Sequence, residues 1–391
     1  MKTPADAIKF KPSVPDSENY HTIEKMSNKS AFDYFRDEKI YSGINIGNTL
    51  DAYNRGKANE TVWGNPRINQ QLMDGIKAAG FDIVRIPVTW MGYIGSEPDY
   101  HIDNSYLKRI ADVVTMAHDA GLKVIINMHH DGSTSATSEE GWLSVKTAVI
   151  NTDEYNRITI KFVRIWKQIA LYFKNYGDWL MFEPMNEIHD GNWGAGNFLV
   201  GQFLVVNNWN QIFTTAVRST GVNNEKRYLV FPGYCTNIRH TLAGYFILPT
   251  DPSPDKQVVT FHYYDPYQFG IEGTRTEWGS DADKQKVIND FSPFMGKFID
   301  NKIPVIIGEC GAVLQLYPND TVKEAQARQS RLDYIPYVYA AAKRYGLVPI
   351  YWDNGLISGN GEKFGLFDRR TGLPNSADSE NIIKLMINAV Q

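Results

Sequence analysis

The chain has 391 residues, 43% of them apolar, with 40 Lys plus Arg against 44 Asp plus Glu and a net charge of −4. That apolar share can build a large core, and the length fits either two average domains or one α/β barrel. The near-neutral balance lacks the basic footprint of a nucleic-acid or anionic-membrane binder, and no run of 18 apolar residues offers a membrane span.

The first 30 residues, opening "MKTPADAIKFKPSVPDSENY", are rich in Pro, Ser, Asp and Lys and read as a flexible leader to a domain over 31–391. They lack the apolar stretch of a signal peptide, which leaves a cytoplasmic location or a signal removed ahead of this start. Short apolar runs bounded by turn residues then predict eight strands, at 42–47, 82–87, 123–129, 179–185, 228–233, 258–264, 304–309 and 348–353. Helical periodicity predicts helices over 67–79, 103–120, 154–175, 203–219, 283–300 and 321–345, with a last one over 378–389. "YLKRIADVVTMAHDAG" shows the pattern, an apolar face that stops at Gly121. Only the stretch after the fifth strand lacks a long helix.

Strands that are apolar throughout and alternate with helices make a parallel sheet covered on its faces, and eight of them close into a (β/α)8, or TIM, barrel of one domain. The alternative is an open doubly wound sheet, but no glycine-rich phosphate cradle follows any strand. Cys235 and Cys310 are too far apart for a metal motif and read as buried free thiols.

In such a barrel the site forms at the C-terminal ends of the strands. Those ends carry Asn48, Arg85, His129 and His130, Asn186 and Glu187, His262 and Tyr264, Glu309, and Trp352 with Asp353. Glu187 and Glu309, ending strands four and seven, can face each other across the mouth, and two opposed carboxylates are the minimum equipment for cleaving a glycosidic bond. A separation of about 5 Å would mean retention and about 6.5–9.5 Å inversion. Glu183 falls on the same strand face but deeper, and reads as a structural partner of Arg85 or a histidine. His189 and Asp190 read as exposed loop residues. Trp63, Trp142, Trp193 and Trp278 lie in loops with polar neighbours and are candidates for cleft walls, one or two of them being structural. The His129-His130-Asp131 run with His262 suggests metal ligands, but neighbours on a strand face opposite ways, so no metal is expected.

The motifs "IGNTLDA", "VRIPVTW", "NMHHD", "FEPMNE", "HYY", "IIGE" and "YWDNG" occur in this order over residues 42–370 and resemble glycoside hydrolase family 5, the cellulase-rich family of clan A. "NTLDAY…WGNP" and "GEKFGLFDR" resemble its endoglucanase and xyloglucanase subfamily. The resemblance implies a retaining endo-β-1,4-glucanase without cofactor, with Glu187 as acid/base and Glu309 as nucleophile. By the same resemblance Asn186 would bind the sugar 2-hydroxyl, and Arg85 would hold Glu309 ionised. Tyr264 would touch Glu309 and His262 would tune Glu187. His129 and His130 would line a subsite, and Trp352 would lie under the sugar on the non-reducing side. Ile188 and Cys310 depart from the family's usual Pro and aromatic residue, which bears on the subfamily. Xyloglucan, mixed-linkage glucan and mannan are alternative substrates. A metal-dependent barrel hydrolase and a non-catalytic carbohydrate-binding barrel are alternatives of other classes. The expected partner is a polysaccharide, met by a monomer outside the cell.

Overall fold

The computed structural model describes residues 4–20, 22–134, 141–194 and 199–391. Eight parallel strands close a barrel: β1 (Gly43–Ile46), β4 (Ile83–Ile86), β5 (Lys123–Asn127), β6 (Leu180–Glu183), β7 (Leu229–Asn237), β8 (Gln257–Tyr263), β9 (Val305–Cys310) and β10 (Leu347–Asp353). β2 (Tyr53–Asn54) and β3 (Lys57–Ala58) form a small antiparallel hairpin beyond β1. All eight expected strands are present, β6 shorter and β7 longer than the apolar runs alone suggest. The long expected helices are there too, and side chains of Asn69, Asp103, Asn151, Ser280, Asp320 and Ser376 cap their first turns by accepting backbone N–H bonds. The helix expected over 283–300 is split into Asp281–Phe291 and a π turn at Met295–Ile299. After β7 come the short helix Ile238–Leu242 and a 3-10 turn at Pro254–Lys256, with no long helix.

The barrel interior has two halves. At the N-terminal ends of the strands, Ile83, Ile125, Met181, Val258, Ile306 and Ile350 form one apolar cluster. Tyr34 and Phe35, from the helix Ala31–Asp37, plug that cluster together with Ile40. Two residues further along the strands the same interior face turns polar, with Arg85, Asn127, Glu183 and Thr260 all fully buried. The outward face packs against the helices in a separate, larger apolar cluster. Cys235 and Cys310 are buried and unbridged. None of the described helices is long and apolar enough to cross a membrane.

The segment before residue 31 does not behave as the expected flexible leader. Pro4–Lys9 is a helix whose Ala7 is buried with Val163 and Ala216. Ser17 Oγ lies 2.7 Å from Tyr176 OH. Glu24 Oε2 accepts hydrogen bonds from Gly177 N at 2.5 Å and Trp179 Nε1 at 2.8 Å, at the entrance to β6. A polar composition signals disorder only when its polar groups have nothing but water to bond; here they complete backbone and indole groups of the barrel's closed end. Residues 1–3 and 21 lie outside the described part.

Glu24→Ala strips two donors of their acceptor far from the strand C-termini. It is expected to lower stability by about 1–3 kcal/mol in denaturant titration while leaving activity unchanged; unaltered unfolding would show the leader to be dispensable.

Candidate active site

The polar half of the interior converges on one guanidinium. Arg85 on β4 has no exposed surface. Its Nε and Nη2 donate to Glu183 Oε2 and Oε1 at 2.7 and 2.9 Å. Nη2 also donates to Asn186 Oδ1 at 2.7 Å, and Nη1 to Asn45 Oδ1 at 3.0 Å and Glu309 Oε1 at 2.8 Å. Glu183 is therefore the buried structural partner the sequence suggests. Asn45, which sequence reading missed, is fixed in turn by donating to Gly308 O and Tyr351 O at 2.9 and 3.2 Å. Its signal was there, a carboxamide in the middle of the apolar run "SGINIG".

A bulge gives Glu309 its direction. β8 and β9 pair Thr260 with Ile306 and Phe261 with Ile307, but His262 with Glu309, so Gly308 is an extra residue. Simple alternation from inward-facing Ile306 would bring Gly308 inward and turn Glu309 out; the bulge restores Glu309 to the pit. Only glycine fits there, since a β-carbon would stand 2.6 Å from Thr260 Oγ1. Glu309 then receives Tyr264 OH on Oε2 at 3.1 Å, and His262 Nδ1 lies 3.5 Å from the same oxygen.

Glu187 stands four residues beyond the end of β6, in a loop whose Asn186 N still bonds Met128 O at 2.9 Å. Its Oε1 shares a hydrogen bond with His262 Nδ1 at 2.7 Å, and 28% of its side chain stays open to the cleft. One oxygen of Glu187, one of Glu309 and a ring nitrogen of His262 all lie within 4.8 Å of one another. Burial lifts the Glu187 carboxyl to about 7; Arg85 opposes the rise and Glu183 adds to it. Burial also raises Glu309, against the pull of His262 and Arg85. The expected lowering of Glu309 by Arg85 is thus present as a force but outweighed. His262 is lowered to about 4 by burial, so its ring is neutral at pH 7.

The expectation that His129 and His130 face opposite ways fails. β5 ends at Asn127, so strand alternation no longer governs them, and both rings turn to the pit, edge to face at 4.5 Å. With Asp51 they offer donor atoms within 4.8 Å of one another, as do Glu187, His262 and Glu309, so either group could by geometry hold a divalent ion. Hydrogen bonds engage several of those donors already: His129 Nδ1 with Asn127 Nδ2, and both Asp51 oxygens with the N–H groups of Asn48 and Thr49. Asn48, at φ +55°, turns the chain out of β1 and lines the cleft. Trp352 lies parallel to the His129 ring at 5.8 Å. Asp353, beside it, is turned away and holds the backbone N–H groups of Gly355, Leu366 and Phe367.

Of the expected strand-end residues, all but Arg85 and Asp353 line one cleft of about 940 Å³. Trp63, Trp193, Tyr267 and Glu362 extend its walls. Trp142 and Trp278 do not: Trp142 Nε1 donates to Asp131 Oδ1 at 2.8 Å, and Trp278 is buried edge-on to Tyr334. Asp190 is likewise no exposed loop residue. It is buried, and it accepts from Asn192 N, Gln202 Nε2 and Tyr234 OH.

The description "Cellulase (glycosyl hydrolase family 5)" matches the chain over residues 47–357. The chain belongs to glycosyl hydrolase family 5. It is therefore a glycoside hydrolase, on the barrel that family shares. It is 38% identical over 371 residues to endoglucanase A of Paenibacillus barcinonensis, covering 90% of this chain and 88% of that one. It is 34% identical over 384 residues to a xyloglucan-specific endo-beta-1,4-glucanase of Bacteroides ovatus, covering 94% and 72%. The solved structure of a broad specificity endoglucanase from Bacteroides salanitronis superposes with a TM-score of 0.85 at 39% identity, over 96% of this chain and 99% of that one.

Within this family 5 site Glu183 and Arg85 form a buried pair with no exposure on either side. Glu183→Gln leaves the guanidinium short of a negative partner and is expected to destabilise the fold by about 3–5 kcal/mol. Equilibrium unfolding measures it, and wild-type stability would mean that the pair contributes nothing net.

Proposed function

We propose that the chain is a retaining endo-β-1,4-glucanase that cuts internal bonds of cellulose-like glucans by double displacement. The observation that carries the reading is the close approach of Glu187 and Glu309, with oxygens within 4.8 Å across an open cleft. That spacing suits a carboxylate attacking the anomeric carbon directly and leaves no room for the water an inverting enzyme places between.

The environments divide the roles. Arg85 and Tyr264 both donate to Glu309, and such bonds favour its ionised form, as a nucleophile requires. Glu187 lacks a bond to Arg85, keeps its proton to about pH 7 and is open to the cleft, as a general acid requires. In the first step Glu309 attacks the anomeric carbon while Glu187 protonates the departing glycosidic oxygen. In the second, the Glu187 carboxylate takes a proton from water, which displaces Glu309. With its oxygen taken by Arg85, the Asn186 amide has only N–H donors to offer, which fits a bond to the sugar 2-hydroxyl. His129, His130 and Trp352 supply flat faces and ring nitrogens on the same side of the pit, suited to the sugar held by the nucleophile. No step needs a metal or organic cofactor.

A second substrate reading, xyloglucan, is favoured by the likeness to the xyloglucan-specific Bacteroides ovatus enzyme and by a cleft open enough for a branched chain. Action on a polymer that cannot cross a membrane also supports secretion.

The deciding experiment incubates the protein with soluble cellulose derivatives, mixed-linkage glucan, xyloglucan and mannan, and follows product size and anomeric configuration. β-Anomers of internal fragments support the reading, and initial α-products would end it. Glu187→Gln and Glu309→Gln are each expected to cut turnover at least a hundredfold, in line with the roughly 10²–10⁴-fold value of a positioned acid or base, with unchanged circular dichroism. Because Glu187 must be protonated in the first step, kcat/KM is expected to fall as pH rises through about 7. A profile flat from pH 6 to about 9 would exclude Glu187 as that acid.

A further inference from the structure

The segment Gly233–Thr236 has no place in the barrel ladder. β7 pairs with β8 from Leu229 to Pro232 and again at Asn237, which stands opposite His262. Between those points β7 takes five steps, Pro232 to Asn237, where β8 takes two, Thr260 to His262. Inside this excess Cys235 and Thr236 both adopt left-handed backbone, at φ +58° and +48°. Residues with a β-carbon avoid that region, a β-branched threonine most of all, and two in succession persist only where surrounding contacts hold them.

Those contacts lead to the loop that carries Glu187. Tyr234 OH donates to Asp190 Oδ1 at 3.2 Å. Cys235 N donates to Ile188 O at 3.2 Å, and Thr236 Oγ1 to Asn186 O at 3.1 Å. Three successive residues of the bulge thus grip alternate residues of the loop. The carbonyls on either side of Glu187 are tied down, and Glu187 itself is passed over, its carboxyl left to the cleft and to His262. An ordinary β7 could not do this, because it pairs with β6 at Phe182 with Leu229 and the two strands have parted before residue 186.

We propose that Tyr234, Cys235 and Thr236 form a clamp of positioning residues that holds the Glu187 backbone so that its carboxyl meets the glycosidic oxygen. The proposal rests on reading Glu187 as the acid/base. Proton transfer needs heavy atoms about 2.6–3.2 Å apart, so a loop displaced by less than a bond length loses acid catalysis before it loses substrate binding or nucleophilic attack. The clamp is built where geometric tolerance is smallest, on the member of the Glu187–Glu309 pair that no barrel strand carries.

The test compares two substrates that differ in their need for an acid. Phenyl β-cellobioside requires protonation of its leaving group, whereas 2,4-dinitrophenyl β-cellobioside departs as a stable phenolate without it. Thr236→Val, which keeps shape and removes the hydroxyl, is expected to lower kcat/KM about tenfold on the phenyl glycoside and less than about twofold on the dinitrophenyl one. Thr236→Ser, which restores the hydroxyl, is expected to recover most of the loss. Tyr234→Phe should show the same selectivity more weakly, and decides the matter if Thr236→Val does not fold. Equal losses on both substrates would reduce the bulge to ordinary packing, and no loss on either would also overturn the clamp. Glu187→Ala is run alongside. If it lacks selectivity, the acid/base reading fails and the clamp with it; if it is selective while Thr236→Val and Tyr234→Phe are not, the clamp alone fails.

Discussion

The five N–H groups of Arg85 meet five acceptors, two on Glu183 and one each on Glu309, Asn186 and Asn45, in a place with no access to water. A guanidinium presents those donors in a fixed planar fork, so every acceptor is located by it and none can shift alone. The charges set the rest. One permanent cation faces Glu183, Glu309 and, a little further off, Glu187. It bonds the first two and so offsets part of the burial that raises Glu309, whereas Glu187, with no bond to it, is left in a dry, already negative neighbourhood in which holding a proton is the cheaper state. The raised pKa of Glu187 follows first from its burial, which no bond to Arg85 offsets.

Such a centre depends on a rigid frame, because a buried ion pair with poor geometry is a liability. The frame is the apolar half of the barrel, where Ile83, Ile125, Met181, Val258, Ile306 and Ile350 interlock under the plug of Tyr34 and Phe35. Directly above it, the regular ladder yields to two departures. The extra residue at Gly308 turns Glu309 inward, and the longer excess at 233–236 leaves the ladder to reach the Glu187 loop. Both occur where β8 is the neighbour, and β8 also contributes His262, which touches both carboxylates. The regular strands place the site, and the irregular ones aim it.

That division explains what could be read from the sequence. A strand buried on both faces is apolar throughout, so the eight strands, their order and the barrel were legible, and Glu187 and Glu309 stood out as acids terminating apolar runs. The side-chain directions were not legible, because alternation breaks at the bulges and beyond the strand ends. "IIGE" does not say whether its glycine sits in the ladder or outside it, and "MHHD" does not say that β5 has already stopped. Asp190 and Glu24 were misjudged for a related reason: their partners, Tyr234 and Gln202 for the one, Gly177 and Trp179 for the other, are distant in sequence. The Asn45 amide could have been found by the rule that a polar side chain inside a buried apolar run needs partners.

His262 joins these features by contact, with Nδ1 2.7 Å from Glu187 Oε1 and 3.5 Å from Glu309 Oε2. Its ring is neutral at pH 7, since burial lowers its basicity and outweighs the attraction of Glu309. With its one proton on Nδ1, the ring would donate to Glu187 Oε1, 2.7 Å away, whether Glu187 carries its proton on the other oxygen or has passed it to a leaving group. In the proposed cycle Glu187 alternates between acid and base, and a partner that changed charge in step with it would cancel part of each change. A neutral donor strengthens its bond as the carboxylate appears and relaxes as the proton returns, so it moderates the charge without competing for the proton. The arrangement therefore requires that His262 be buried and Glu187 half open, and these are the exposures found, 4% and 28%.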